Sequence, residues 1–431
     1  MTKIVPNIDF CLPIKVSNQS QRQSYIFDLI FKQLIGIDYT LVDVNFSKPC
    51  LVYSSNVEKA HFVAHNYLYS NTIEQPKVEN VAYKGRFFPF KVAEPSFLPF
   101  DPFATCFYFV TRHEELNALD QDEHGRYLPS ASWLQKNNWL QEPIVNYIAE
   151  EILLWIEIEF DLKLPKLKKY TVLPTIDIDN PYAFAGRGLS FSSSLLKSLL
   201  SLNVRELLYK VKSIVNPSVD PFNTHKKIIQ LLNDTNCICT VFLLMKTKGK
   251  NAVNTQSTLR KNSVFYSNTS FQLGIHPSYK ADAEAFESEH LLLEENLQRK
   301  VDCSRHHFLS IDMHKDLLAI YKQGIKHEYS MGYAKENGFR AGICQSYLWF
   351  DISTNQITDL MIHPFFFMDS TYIFHKKSTQ EEALIQIKEL RDVVQKYQGD
   401  LSFIFHNESL SNYGVYKGWG SFLENTLKEL C

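Results

Sequence analysis

From Tyr170 to the C-terminus, short apolar runs alternate with helix-length amphipathic segments, and this alternation constrains the fold more than any other feature of the chain. Four to eight apolar residues bounded by turn formers read as a buried strand, whereas apolar positions recurring every three to four residues read as a helix. The pattern predicts strands over residues 172–178, 237–245, 271–275, 303–306, 329–330, 338–340, 361–363 and 401–406. It predicts helices over 193–215, 223–233, 281–300, 317–323 and 380–397. Parallel strands need a crossover between them, so a long strand–helix alternation implies a mostly parallel sheet. A closed or nearly closed β/α barrel is the commonest large form of such a sheet, with its reactive residues at the C-terminal strand ends.

The first 164 residues have a different texture. Residues 20–36 and 58–69 read as amphipathic helices, 84–103 as Phe- and Pro-rich loop or edge strand, 103–116 as a buried helix or strand, and 143–157 as a helix. Asp122-Glu-His-Gly-Arg126 reads as a turn. The charged, proline-containing run Lys163-Leu-Pro-Lys-Leu-Lys-Lys169 suits a linker. These boundaries predict an N-terminal α/β domain over 1–164, separable from the reactive centre, and a β/α domain over 170–431.

The net charge of −2 and the absence of any basic or acidic block argue against nucleic acid or a membrane surface as partner. Only 15 Gly are present, and neither a GxGxxG nor a GxxxxGK[ST] phosphate loop occurs. No apolar run approaches the ~20 residues of a membrane span, and no secretory leader follows Met1. The 8 cysteines are scattered, and no CxxC pair suggests a zinc knuckle. In Cys237-Ile-Cys239, strand alternation would bury both thiols on one face. The expectation is a reduced, cytoplasmic protein with no membrane span; the oligomeric state is left open.

Polar residues collect at the ends of the predicted strands: Asp177 and Asp179, His276, Arg305 to His307, Arg340, His363 and His406. In Thr175-Ile-Asp-Ile-Asp-Asn180, two carboxylates two residues apart share one face of a continuing strand, close enough to couple. One can then bind a cation while the other takes a proton from water; the competing reading is a strand-end Asp capping the next helix. Gly274-Ile-His-Pro-Ser-Tyr279, Ser304-Arg-His-His-Phe308 and Phe403-Ile-Phe-His-Asn407 each end a strand in histidine. Each His alone reads equally as a structural, hydrogen-bonded residue. Three such strand ends with an Asp pair suit an Asp/His/His metal centre with an open position. His306 and His307 point to opposite faces of a strand, so one of them serves the site. His61 and His65 have helical metal-pair spacing but lack the Glu of HExxH, and read as a packed or surface pair.

Together these residues resemble the polysaccharide deacetylase superfamily, carbohydrate esterases of nodulation-type deacetylase homology. Thr175-Ile-Asp-Ile-Asp179 is similar to its T-F-D-D motif with one residue inserted, and His276 matches the first His of H-[ST]-x-x-H, whose second position is Lys280 here. Arg305 matches the Arg of R-x-P, with His307 in place of Pro, and His406 resembles the family's last His. The segments Asp177-Ile-Asp-Asn-Pro-Tyr-Ala-Phe184, Gly274-Ile-His-Pro-Ser-Tyr279, Ser304-Arg-His-His-Phe308, Tyr329-Ser-Met-Gly-Tyr-Ala-Lys-Glu-Asn-Gly-Phe-Arg-Ala-Gly342 and His406-Asn407 resemble a bacterial subgroup with an extra N-terminal domain. Phe103 to Tyr127 looks like part of that domain.

The resemblance implies an α/β fold with a distorted (β/α)7-type barrel and a smaller N-terminal α/β domain. It implies Asp177 as base, Arg305 as the group that orients it, and His406 as acid. It implies Asp179 and His276 as ligands of a divalent metal, with zinc expected; His307 is assigned as the third. Tyr279, Arg340 and Asn407 stand in the same segments and are expected to contact substrate. The implied activity is removal of an acetyl group from an amino-sugar-containing glycan or its precursor, a carbohydrate substrate. Two alternatives remain: a catalytically degenerate barrel that binds carbohydrate or a partner enzyme, and a metal-free glycosidase using two carboxylates.

Overall fold

The computed structural model describes residues 3–4, 10–165, 168–185, 204–235, 237–245 and 256–431. Four short strands near the N-terminus, β1 (Cys11–Val16), β2 (Asp38–Leu41), β3 (Leu51–Ser54) and β4 (Phe62–Val63), form a parallel sheet in the order β2-β1-β3-β4. The expected helix over 20–36 is present as Gln21–Phe27 running on into a wider-wound Asp28–Ile35. Ser20 caps it by accepting from Gln23 N, and Gly36 ends it at φ 82°, a left-handed position that suits glycine. Pro102–Val110 is a helix with every residue buried, capped by Asp101. Ile144–Glu159 is the expected amphipathic helix, with Pro143 as its cap residue.

The second sheet has nine strands. In chain order they are β5 (Thr171–Ile178), β6 (Thr240–Leu244), β7 (Gln272–His276), β8 (Cys303–Ser304), β9 (His327–Glu328), β10 (Tyr347–Asp351), β11 (Gln356–Ile362), β12 (Phe367–Met368) and β13 (Asp400–His406). The spatial order is β10-β11-β9-β8-β7-β6-β5-β13-β12, and every pair is parallel except β10/β11. Helices Val204–Val215, His225–Thr235, Gln256–Ser267, Ala283–Leu297, Asp316–Lys322 and Gln380–Lys396 punctuate the strands. A closed or nearly closed barrel was expected; among the described residues no hydrogen-bonded pair joins β10 to β12, so the strand pairing itself does not close the ring.

The register fixes the site. His406 is paired with Asp177 across β13/β5, Phe242 with Asp177 across β6/β5, and Leu244 with His276 across β6/β7. Two Asp and two His therefore reach the same C-terminal edge of the sheet. One buried apolar cluster runs through both parts of the chain, from Leu12 and Phe107 to Ile176 and Phe403. Val145 N donates to Gly342 O (2.8 Å) and the Tyr25 hydroxyl to Leu348 O (2.7 Å), tying the N-terminal elements to the second sheet.

Several expectations are corrected. Residues 58–69 are not a helix, because the Asn56 and His65 side chains accept the amides of Glu58 and Tyr67 and cap single turns on either side of β4. Residues 338–340 form a turn rather than a strand: Gly338 sits at φ 125°, and a Cβ there would lie 2.2 Å from Leu140 O. Strands β10 and β12 escaped the pattern, and the strand expected at 329–330 stands instead at His327–Glu328, β9. Of the helix expected over 193–215, residues 193–203 lie outside the described residues. Neither Cys237 nor Cys239 lies on a strand; both precede β6, and Cys237 forms a disulfide with Cys431. Disulfides persist in oxidising surroundings, so the cysteines give no support to a reduced compartment. Among the described residues no helix is long and apolar enough to cross a membrane.

Candidate metal centre

Asp179, His276 and His307 stand together at the sheet edge, each offering one ligand atom, and these atoms lie within 4.8 Å of one another. His276 Nε2 is 3.1 Å from Asp179 Oδ1, and His307 Nε2 is 3.4 Å from Asp179 Oδ2. The tautomer of His276 follows from its other nitrogen. Nδ1 lies 2.5 Å from the Arg305 carbonyl, which can only accept, so Nδ1 carries the proton. That leaves Nε2 as the nitrogen able to ligate: it donates to the Asp179 carboxylate as it stands, and offers its lone pair once an ion displaces that proton. Burial opposes charge on Asp179, yet the His307 and His276 imidazoles hold its carboxyl well below the usual range. An ionised carboxylate and two imidazoles are a donor set that can hold a divalent metal ion with positions left open.

Asp177 lies beside this group, its Oδ2 3.9 Å from His276 Nε2. Arg305, fully buried, donates from Nη1 to Asp177 Oδ1 (2.8 Å) and Thr175 Oγ1 (2.7 Å), and from Nε to Tyr329 O (3.1 Å). Its guanidinium lies 4.5 Å over the Phe242 ring. That ring in turn needs Gly274 beneath it, since a Cβ there would be 2.3 Å from the ring. A charge-assisted bond to a clamped guanidinium fixes the Asp177 carboxylate in orientation.

His406 ends β13 with Nδ1 2.6 Å from Asp369 Oδ1, while its own amide donates to Asp369 Oδ2 (2.6 Å). Burial works against the imidazolium, but Asp369, with help from Asp179 and Asp177, raises the His406 pKa well above its ordinary value. Asp369 is fully buried and was not singled out in the sequence. It follows the Phe365-Phe-Phe-Met368 run, and a carboxylate closing so apolar a segment was the available signal. Glu408 was also missed; its Oε1 accepts from Asn180 Nδ2 (2.5 Å), and burial with the neighbouring Asp179 charge lifts it to about 7.

Asp177, Asp179, His276, His307, His406 and Glu408 line one cavity of about 380 Å³. Glu123, His124 and Arg126 line it too, so the N-terminal region, expected to stand apart from the centre, forms part of its wall. Tyr279, Arg340 and Asn407, expected to contact substrate, do not line it. Arg340 is buried and engaged by Glu115 (2.6 Å) and Gly332 O (3.0 Å). Asn407 is buried and donates to the Asn180 and Phe222 carbonyls, and the Tyr279 hydroxyl lies 3.0 Å from His124 Nδ1. Their polar groups bind the protein itself. His61 and His65 lie off any helix and accept the amides of Val52 and Tyr67. A larger hollow of about 910 Å³ beside Arg260, Lys261 and Glu295 has no histidine or cysteine among the described residues that line it.

Comparison with known proteins adds little to the geometry. Residues 12–161 match a family of unknown function, DUF7033. No curated protein matches the chain. A solved protein described as a candidate polysaccharide deacetylase, from Mycobacterium smegmatis, is similar to 62% of this chain over 86% of its own length. The identity is 12% and the TM-score 0.39, too low to bear on function.

Proposed function

We propose that the chain is a metal-dependent hydrolase that removes an acetyl group from an amino-sugar-containing glycan or glycan precursor. What supports this reading is one observation: an Asp/His/His group, an Arg-oriented Asp and an Asp-supported His face one cavity. The sugar and the acetyl group come from the motif resemblance. A distorted seven-stranded barrel over 170–431 and an N-terminal α/β domain over 1–164 belong to the same proposal.

Asp179, His276 and His307 would hold the ion, with zinc as our first assignment. A divalent ion bound there supplies Lewis-acid polarisation of the acetyl carbonyl. Asp177, held by Arg305, accepts the proton of the attacking water. His406, kept protonated by Asp369, gives a proton to the departing amine or alkoxide.

The two aspartates separate the hypotheses. Asp179→Asn should lower zinc content together with activity on acetylated amino-sugar oligomers. Asp177→Asn should keep its zinc and lose about 10²–10⁴-fold in turnover. A degenerate, binding-only protein would show no turnover in the parent, and a metal-free glycosidase would be untouched by chelation. Parent protein that takes up no zinc would refute the metal reading.

A further inference from the structure

The turn at 122–126 belongs to the stretch that matches the family of unknown function, yet it is fastened to the backbone that carries His307. Inside the turn, Asp122 Oδ1 accepts from His124 N (2.9 Å) and Arg126 N (3.1 Å), and Oδ2 accepts from Arg126 Nε (2.8 Å). Gly125 takes φ 78°, where a side chain would be strained. The turn is thus braced before it touches anything else.

Three contacts leave it for the segment after His307. Arg126 Nη1 donates to Phe308 O (3.1 Å), Ser310 Oγ donates to His124 O (2.7 Å), and the His124 ring stacks on Phe308 at 5.1 Å and 16°. A fourth joins His124 Nδ1 to the hydroxyl of Tyr279, three residues beyond His276. Phe308 and Leu309 both have left-handed backbones, φ 59° and 54°. Neither is glycine, and two such residues in succession persist only where their surroundings hold them. The bond to the Phe308 carbonyl and the stack on its ring do that, one residue from the imidazole that faces Asp179.

We infer that the turn of the N-terminal region positions His307, so that the metal centre is completed by the part of the chain whose family has no known function. The inference rests on the metal reading above. Arg126 is a positioning residue: its guanidinium meets Asp122 and the carbonyl of Phe308, the residue after His307.

Full-length parent, Arg126→Ala and Lys84→Ala proteins are compared by zinc competition against a chromophoric chelator and by the absorption spectrum of the cobalt-loaded form. Lys84 pairs with Glu151 far along the same region and serves as control. Arg126→Ala should bind zinc about 10–100-fold more weakly, as loss of an outer partner of a ligand typically does. Its cobalt spectrum should shift, while Lys84→Ala matches the parent. If Arg126→Ala does not fold by circular dichroism, the double variant His124→Ala/Ser310→Ala takes its place with the same expectation. Unchanged affinity and spectrum in a folded turn variant would overturn the inference, as would equal weakening by Lys84→Ala. A parent that binds neither zinc nor cobalt overturns the metal reading itself, and is seen before any variant is made.

Discussion

Replacing Glu115 with Gln should destabilise the whole chain, although Glu115 lies outside the candidate site. Its carboxylate, 6% exposed, sits between two buried guanidinium groups. Arg112 Nε donates to Oε1 (2.8 Å), Arg340 Nε to Oε1 (2.9 Å) and Arg340 Nη2 to Oε2 (2.6 Å). Burial pushes the carboxyl up, but Arg340 and Arg112 outweigh it and hold its pKa at about 2, against 4.5 for an ordinary Glu. At about 1.4 kcal/mol per pKa unit, that difference is worth about 3 kcal/mol above pH 4.5. Breaking a buried pair from one side typically costs about 3–5 kcal/mol, which agrees. The folded pKa is depressed, so the contribution is complete above the unfolded value and drains away as pH falls through the folded one. Urea unfolding followed by tryptophan fluorescence, parent against Glu115→Gln, should give a gap of about 3 kcal/mol at pH 7, shrinking to about 1.5 kcal/mol at pH 3. A gap below about 1 kcal/mol at pH 7, or one equal at both pH values, would refute this account of Arg340 as a clasp between the two parts of the chain.

Asp369→Asn should lower the pKa of His406, because the carboxylate that raises it is gone. The imidazole then loses its proton at lower pH, and an NMR titration of the His406 ring should show the midpoint moving down; an unmoved midpoint would remove Asp369 from the account. Gly274→Ala should cost about 1–3 kcal/mol, since its Cβ meets the Phe242 ring on which Arg305 rests. Its melting temperature should fall, and activity should fall further than stability alone explains; a variant melting like the parent would mean that the ring moves aside freely.

Most of the second sheet was legible because buried parallel strands are nearly continuous apolar runs, and β5, β7 and β13 show that run followed at once by Asp or His. Strands β8 and β9, two residues each, left only their polar neighbours as a signal. Local pattern also marked Asp177, Asp179, His276, Arg305, His307 and His406, since strand ends are places where a polar residue must have a reason. Which of these groups meet was decided by register between strands far apart in sequence, and no local pattern carries that. Tertiary packing alone turned Arg340 into a clasp for Glu115, brought Asp369 under His406, and joined Cys237 to Cys431 across 194 residues. It also laid the 122–126 turn against Phe308. In each case the partner lies dozens to hundreds of residues away, so a side chain's chemistry was readable from the sequence while its partner was not.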